Sequence, residues 1–229
     1  LSMKRHALPE LRQLYERSKT GSEARLHLAI ACLRLGDPSS ELLPEIRELA
    51  LECRPDQLVP LVSLLQKWGA EIIPDLKTIL QTTTETPDRR LHAACLLAGW
   101  ETTAESAKDT AWADPNTAEF VATQLVLQNL VFVGQYQEVL RPQAGRLAAP
   151  LETLFADPSQ TEVARTIVTG LLSDYAKDNV PVLAQALLAA DPVADKLLFP
   201  LLEADRARAI TEFQSVLQQT LTTDWADPP

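Results

Sequence analysis

Residues 23–36 read EARLHLAIACLRLG, and the apolar side chains of this stretch recur at the spacing of an α-helix. Four of them fall at positions i, i+3, i+4 and i+7, which places them on one helix face: Leu26, Ala29, Ile30 and Leu33. The same pattern returns over residues 55–69, 70–81, 159–177 and 205–221. No convincing run of strict apolar–polar alternation predicts a strand. We therefore expect an all-α protein.

The composition supports the same fold class. Hydrophobic residues make up 46% of the 229 residues but aromatic residues only 5%, so the core must consist mainly of Leu, Ala, Val and Ile. Strand-rich proteins favour β-branched and aromatic residues. Seven glycines are also too few for the many tight turns of a sandwich or barrel.

Three Asp-Pro pairs predict helix starts, at residues 114–115, 157–158 and 191–192. An aspartate accepts hydrogen bonds from the free amides of a first helical turn, and proline loses nothing at the first helical position. Ser159 with Glu162 has the spacing of a capping box, which predicts a helix that begins just after residue 159.

Two further features predict stacked helical hairpins. Prolines also stand inside apolar runs, at Pro44, Pro60, Pro74, Pro181 and Pro200, and proline beyond the first turn kinks or breaks a helix. The motif RLH at residues 25–27 recurs at residues 90–92, and ACL at residues 31–33 recurs at residues 94–96. These two offsets fit a pair of hairpins of roughly 33 residues each. We predict an α-α superhelix of the HEAT/armadillo type.

We expect residues 1–229 to form a single α-solenoid domain that is a fragment of a larger chain. A polar connector is predicted near residues 81–88, an irregular segment near residues 100–114 and an exit linker at residues 222–229. The only methionine is Met3, preceded by Leu1 and Ser2, so the chain either carries a tag remnant or is cut from a longer protein.

The charge balance restricts the partners. A net charge of −10 opposes general nucleic-acid binding, which needs Lys and Arg to replace counterions along the phosphates. No apolar run reaches the roughly 18 residues of a membrane span, and no signal peptide opens the chain. Three cysteines, Cys32, Cys53 and Cys95, indicate buried thiols in a reducing compartment. We expect a cytoplasmic protein that binds a protein partner or flanking domains of the same chain, and that has no evident small-molecule substrate.

Catalytic and metal-binding motifs are missing from the sequence. Dinucleotide and phosphate loops are absent, as are the HExxH, CxxC and GxSxG patterns. His92 and Cys95 share a helix face, but a zinc site needs about four ligands, and His27 and Cys32 are expected to lie too far away. Carboxylates cluster at residues 101 and 105, 109 and 114, and 203 and 205, where helix-start or solvated charges explain them. We predict no catalytic residue, cofactor or metal.

Tryptophans provide the candidate contact residues. Trp68, Trp100 and Trp112 lie near predicted helix ends, and Trp225 lies in the exit segment. Trp100 and Trp112 flank the irregular segment, so they are the best candidates for a protein-contact surface, because tryptophan is favoured at binding hot spots. The alternative is that both indoles close the ends of the core beside Gly99 and Pro115.

Several short stretches carry a family resemblance: residues 90–98 (RLHAACLLA), 140–142 (LRP), 150–157 (PLETLFAD), 172–179 (LSDYAKDN) and 198–202 (LFPLL). They resemble a helical region of large bacterial multidomain proteins. In those proteins the region lies between a serine/threonine protein kinase domain and a domain similar to the formylglycine-generating, sulfatase-modifying enzymes. The resemblance covers roughly residues 40–225 and departs after Ala98, where the family often has an aromatic-Asp-Pro turn. It implies a non-catalytic inter-domain region, with no kinase or sulfatase-modifying residue to carry over.

Taken together, these features predict a non-catalytic scaffold or spacer that offers a protein-interaction surface. Two alternatives stay open. One is an enzyme on a HEAT-like scaffold, such as a helical DNA glycosylase, which the acidic charge opposes because such an enzyme needs a basic concave face. The other is an oligomerising helical bundle, which a hydrodynamic mass would separate from a monomeric solenoid.

Overall fold

The computed structural model describes residues 2–36, 42–101 and 110–221, and within them the side chains of residues 7–218. These ranges contain thirteen α-helices and no strand, which confirms the all-α prediction. No helix in this part of the chain is long and apolar enough to cross a bilayer.

The contacts group the chain into two compact units, Leu1–Ala111 and Trp112–Pro229. The described helices of the first unit are α1 (Ser2–Arg17), α2 (Glu23–Arg34), α3 (Leu42–Glu52), α4 (Pro55–Leu65), α5 (Gly69–Gln81) and α6 (Pro87–Trp100). Those of the second are α7 (Pro115–Val126), α8 (Leu130–Leu140), α9 (Ala144–Ala156), α10 (Glu162–Tyr175), α11 (Val180–Leu188), α12 (Pro192–Glu203) and α13 (Arg206–Leu221). Membership of both units in one solenoid domain stays a prediction.

Helix α6 forms the centre of the first unit. Every residue from Leu91 to Ala98 is buried, and α3, α4 and α5 all pack against this helix. A helix that is apolar all round must be covered on all sides. The alanines at positions 93, 94 and 98 keep it thin enough for three neighbours to approach closely.

The second unit arranges its helices in two rows. Helices α7, α9, α11 and α13 pack in succession along one row, and α8, α10 and α12 along the other. Within the hairpins, α9 packs on α10 and α11 packs on α12. Among the described residues, α13 is the last helix of the first row and α12 the last of the second.

The two units share an internal repeat, in which helices of the same lengths recur at a constant interval along the sequence. Helices α4, α5 and α6 have 11, 13 and 14 residues, and so do α8, α9 and α10. A 3₁₀ turn of three residues follows the first helix of each set. The interval between counterpart helices is the same in all three pairs, which begin at positions 55 and 130, 69 and 144, and 87 and 162. Thr86 and Thr161, separated by this same interval, cap the third helix of each set. We call this correspondence the three-helix repeat.

The three-helix repeat differs from the repeat predicted from the RLH echo. The two RLH motifs lie in α2 and α6, and both arginines donate to a carbonyl in the last turn of the preceding helix. Arg25 donates to the carbonyl of Tyr15 at 2.9 Å and also pairs with Glu45. Arg90 donates to the carbonyl of Leu80 at 2.8 Å. The shorter offset of the echo thus relates equivalent contacts of α2 and α6 with the helix before each, whereas the longer interval relates two sets of three helices.

The helix starts are partly as predicted. Asp114 and Asp191 accept amide hydrogen bonds at the starts of α7 and α12. The prediction for residues 157–162 was wrong, because Asp157 ends α9 and its side chain accepts the amide of Ser159 in the connecting turn. Thr161 provides the N-cap, so α10 begins at Glu162.

The prolines separate into two groups. Pro44 and Pro181 lie in first turns, where the ring costs little. Three others lie inside helices, at Pro60, Pro74 and Pro200. The predicted polar connector falls on residues 82–86, between α5 and α6. Most of the predicted irregular segment, residues 102–109, and the whole predicted exit linker lie outside the described residues.

Candidate functional site

Trp100, the first of the two candidate contact residues, ends helix α6 with 8% of its surface exposed. Its indole Nε1 donates a hydrogen bond of 2.9 Å to the carbonyl of Val62 in α4. The ring also covers the start of α5, because a Cβ placed on Gly69 would lie 3.4 Å from Trp100 Cδ2. One side chain thus joins the three helices α4, α5 and α6.

The three-helix repeat places an equivalent aromatic lock in the second unit. Tyr175 is the counterpart of Trp100 and likewise ends its helix. Its hydroxyl donates a hydrogen bond of 2.7 Å to the carbonyl of Gln137, which is the counterpart of Val62. Two different aromatic residues make the same connection, which indicates that the aromatic position is a structural part of each set of helices.

Trp112, the second candidate, lies in the 3₁₀ turn Ala111–Ala113 and is 1% exposed. It belongs to the largest fully buried side chains of the described residues. Neither indole offers appreciable surface to a partner. Of the two roles weighed for them, core packing is the one that burial favours.

Glu101 fixes the base of the segment between these tryptophans. Its side chain is only 4% exposed and pairs with Lys77 of α5 at 3.2 Å. The carboxylate also accepts the backbone amide of Ala111, at 3.0 Å to Oε2. The buried carboxylate of Glu101 therefore connects the chain before residues 102–109 to the chain after them. Its suggested neighbour Glu105, and Asp109, lie outside the described residues.

His92 and Cys95, which share a helix face and were considered as half of a metal site, lie in the core of the first unit together with Cys53. His92 is buried, and its Nδ1 lies 2.9 Å from the carbonyl of Leu51, so Nδ1 carries the proton. Burial lowers the pKa of His92 and favours the neutral ring. Burial also raises the pKa of Cys53 to about 12 and that of Cys95 further still. Neither thiol is activated as a nucleophile.

Cys32 is buried as well, and none of the three cysteines forms a disulfide in the described part of the chain. Among the described residues, no group of three or more His, Cys, Asp and Glu side chains is placed to hold a metal ion. Asp114, from another suggested acidic cluster, instead caps α7.

The exposed apolar residues of α12 and α13 form a surface that no sequence motif indicates. Phe199 is 49% exposed, Ile210 47% and Leu217 60%, and half-buried Phe213 lies between the last two. Phe199, Ile210 and Phe213 line an open groove of about 520 Å³ between the two helices. We call these four residues the terminal face.

Helix α12 explains why this surface stays open. Its buried positions form a single narrow stripe, Ala194, Leu198 and Leu202. Helix α12 nevertheless carries further large apolar residues that are about half exposed or more. Phe199 lines the groove toward α13, whereas Val193 and Leu197 line a second pocket beside α10. A surface helix needs only one apolar stripe to face its own core. The surplus of apolar residues in the sequence is the signal that could have identified this face.

Comparison with protein-family models, with curated proteins and with solved structures found no match to this chain. The resemblance to a helical inter-domain region therefore stays a prediction.

Proposed function

We propose that this chain is a non-catalytic, HEAT-like scaffold that binds a protein partner or a flanking domain through its terminal face. The observation that carries the proposal is the half-exposed apolar surface of Phe199, Ile210 and Leu217 beside an open groove. Contiguous exposed apolar surface costs solubility, and in natural proteins it often marks a site of protein association.

Charge distribution supports a protein as the partner. Residues 192–218 carry three basic and four acidic side chains, a net charge of −1, although the whole chain carries −10. From Phe213 to Thr223 the sequence has no charged residue. Interface cores are depleted of charge and enriched in aromatic side chains, as the terminal face is.

The mechanism of such a scaffold is geometric. Paired helices bury one face on their neighbours, and the last helices of a row keep an apolar face for another protein. The family resemblance suggests a setting, in which the flanking domains would be a kinase and a sulfatase-modifying-like domain. The buried tryptophans then hold helices in place, and the contact is made at α12 and α13.

Site-specific photo-cross-linking in cells tests this proposal. A photoreactive phenylalanine analogue at residue 199 should give covalent adducts with a protein. The matched control carries the analogue at Val131, which lies in α8 of the same unit and is 73% exposed. Adducts from residue 199 alone would support the proposal. Absence of adducts, or equal yields from both positions, would refute it.

A further inference from the structure

The terminal face has the geometry of a seat for one more helix. In the second unit, each helix of the row α8, α10, α12 packs beside the row α7, α9, α11, α13. Helix α10 contacts α9, its hairpin partner, and also α8, the preceding helix of its own row. A helix in the corresponding place after α13 would contact α13 and α12. The groove lined by Phe199, Leu202, Ile210 and Phe213 lies between these two helices.

Helix α13 also carries an apolar stripe that fits such a seat. Ile210, Phe213 and Leu217 follow one another at i, i+3 and i+7, so they form an apolar stripe along one flank of the helix. Leu217 projects from this flank with 60% of its surface exposed. A projecting side chain and a groove therefore occur on the same surface, about 10 Å apart along α13. A surface of this kind is complementary to itself.

On this basis, and resting on the proposed function, we propose that the partner of the terminal face is a second copy of this chain. The two copies of α13 pack antiparallel across a two-fold axis, and each fills the groove of the other. Antiparallel packing is also the relation of neighbouring helices joined by a short connection. A two-fold contact is the commonest way in which identical chains associate.

The sequence of α13 fits a register centred between Phe213 and Gln214. In this register Ile210 lies opposite the partner copy's Leu217, and by symmetry Leu217 lies opposite Ile210. Glu212 lies opposite Ser215, and Phe213 lies opposite Gln214. No pair of like charges is brought together over residues 209–218. The register therefore joins the apolar stripes without placing like charges opposite each other.

The available area predicts a reversible dimer. Phe199, Ile210 and Leu217 are each about half exposed and together offer roughly 300 Å² of apolar surface. A standard interface buries about 800 Å² per partner, of which up to about 65% is apolar. Half-buried Phe213 and its neighbours supply part of the remainder. Interfaces smaller than the standard size are typical of weak, transient association, so we expect a reversible dimer whose affinity depends on side-chain fit as well as on area.

Sedimentation equilibrium of the purified chain, at loading concentrations from about 1 to about 100 µM, tests this inference. We expect a monomer–dimer equilibrium that Leu217→Asp shifts to monomer by at least about 100-fold. The control Val131→Asp should leave it unchanged. Dimerisation should also strengthen with salt, because salt screens the repulsion between two chains of charge −10. A monomer throughout, or a dimer insensitive to Leu217→Asp, would overturn the inference.

A disulfide experiment tests the register. Chains with Ile210→Cys and chains with Leu217→Cys are oxidised separately and as an equimolar mixture. Only the mixture should give a cross-linked dimer in high yield, since each cysteine lies opposite the other position. The native thiols are buried and should not compete. Equal cross-linking in the separate samples would contradict this register.

The two proposals can fail separately. Suppose that residue 199 cross-links in cells to a different protein, or to another segment of its own chain, while the purified chain stays monomeric. The terminal face is then an interaction surface, and the second copy is the wrong partner. If residue 199 gives no adduct and the chain is monomeric, both proposals fail. Unchanged circular dichroism and melting temperature for Leu217→Asp would show that loss of the dimer is not loss of the fold.

Discussion

Substitution of Gly99 by alanine should destabilise the first unit, although alanine is the better helix former. Gly99 lies in α6, and a Cβ built on it would lie 2.3 Å from Val62 Cγ1 in α4. Val62 has little freedom to move away, because valine is restricted at χ1. Its own carbonyl is also held by the indole of Trp100 at 2.9 Å. Alanine at residue 99 therefore requires α4 and α6 to move apart.

Two opposing contributions set the expected magnitude. In an unobstructed helix interior, glycine to alanine stabilises by about 1 kcal/mol. Overpacking of a tight contact costs about 1–3 kcal/mol, and a clash this close should lie toward the upper end. We expect Gly99→Ala to lower the free energy of unfolding by about 1–2 kcal/mol. Urea denaturation followed by tryptophan fluorescence measures this change, since Trp68 and Trp100 report on the first unit.

A double-mutant cycle isolates the cause. Val62→Ala removes the obstructing methyl groups, so in that background Gly99→Ala should become stabilising by about 1 kcal/mol. Gly170→Ala in α10 is the matched control, because nothing lies within 4 Å of its Cβ position and alanine should simply stabilise. The reasoning is refuted if Gly99→Ala is as stable as the wild type, or if the two substitutions at residues 62 and 99 are additive.

Three further predictions concern the cores. Leu61→Asp and Leu171→Asp, at positions 3% and 0% exposed, should each cost about 3 kcal/mol or more, and a wild-type melting temperature for either would show that the wrong face was chosen. Trp112→Ala should cost about 3–5 kcal/mol, whereas a surface role predicts an unchanged thermal melt. Burial lowers the pKa of His92, so the unfolded chain binds a proton first as the pH falls through about 6.5, and stability should drop below that pH. In His92→Gln the slope of stability against pH between about 5 and 7 should flatten, and an unchanged slope would contradict this explanation.

Five of the thirteen described helices could be predicted individually from the sequence because their core side chains recur regularly: α2, α4, α5, α10 and α13. The periods over residues 55–69 and 70–81 became α4 with its 3₁₀ turn and α5, and residues 205–221 became α13. Leu61 and Leu171 lie in the core as expected. Periodicity succeeds here because burial of one apolar face is what stabilises a helix in a packed protein.

A helix start for which two neighbouring residues could each provide the cap could not be predicted in the same way. Ser159 and Thr161 are both good capping residues, and only the path of the turn after Asp157 decides for Thr161. The three-helix repeat is not evident from the sequence, because equivalent positions need side chains of similar size and orientation but not of the same residue type. Trp100 and Tyr175 share a role without sharing a residue type.

The terminal face was missed for a different reason. Sequence patterns show which residues of a helix are apolar, but not how many neighbouring helices are present to cover them. In the period over residues 205–221, the stripe of Ile210 and Leu217 has the same pattern as a core face. Only the packing shows that both side chains are about half exposed.

The contact between Val62 and Gly99 can be compared with the contact at the equivalent positions of the three-helix repeat. The equivalent positions are Gln137 and Asp174, where the amide donates to the carboxylate at 2.8 Å. One set of helices is thus joined by close contact with a glycine, the other by a hydrogen bond between longer side chains. In both, the aromatic residue that follows donates to the carbonyl of the first partner. The hydrogen bond donated by the aromatic residue is therefore present in both sets of helices, although the neighbouring pair of residues differs. This is expected if the aromatic residue has a structural role. If Trp100 bound a partner, its ring would have to be exposed. The exposed apolar residues of α12 and α13 are therefore the better place to seek a partner.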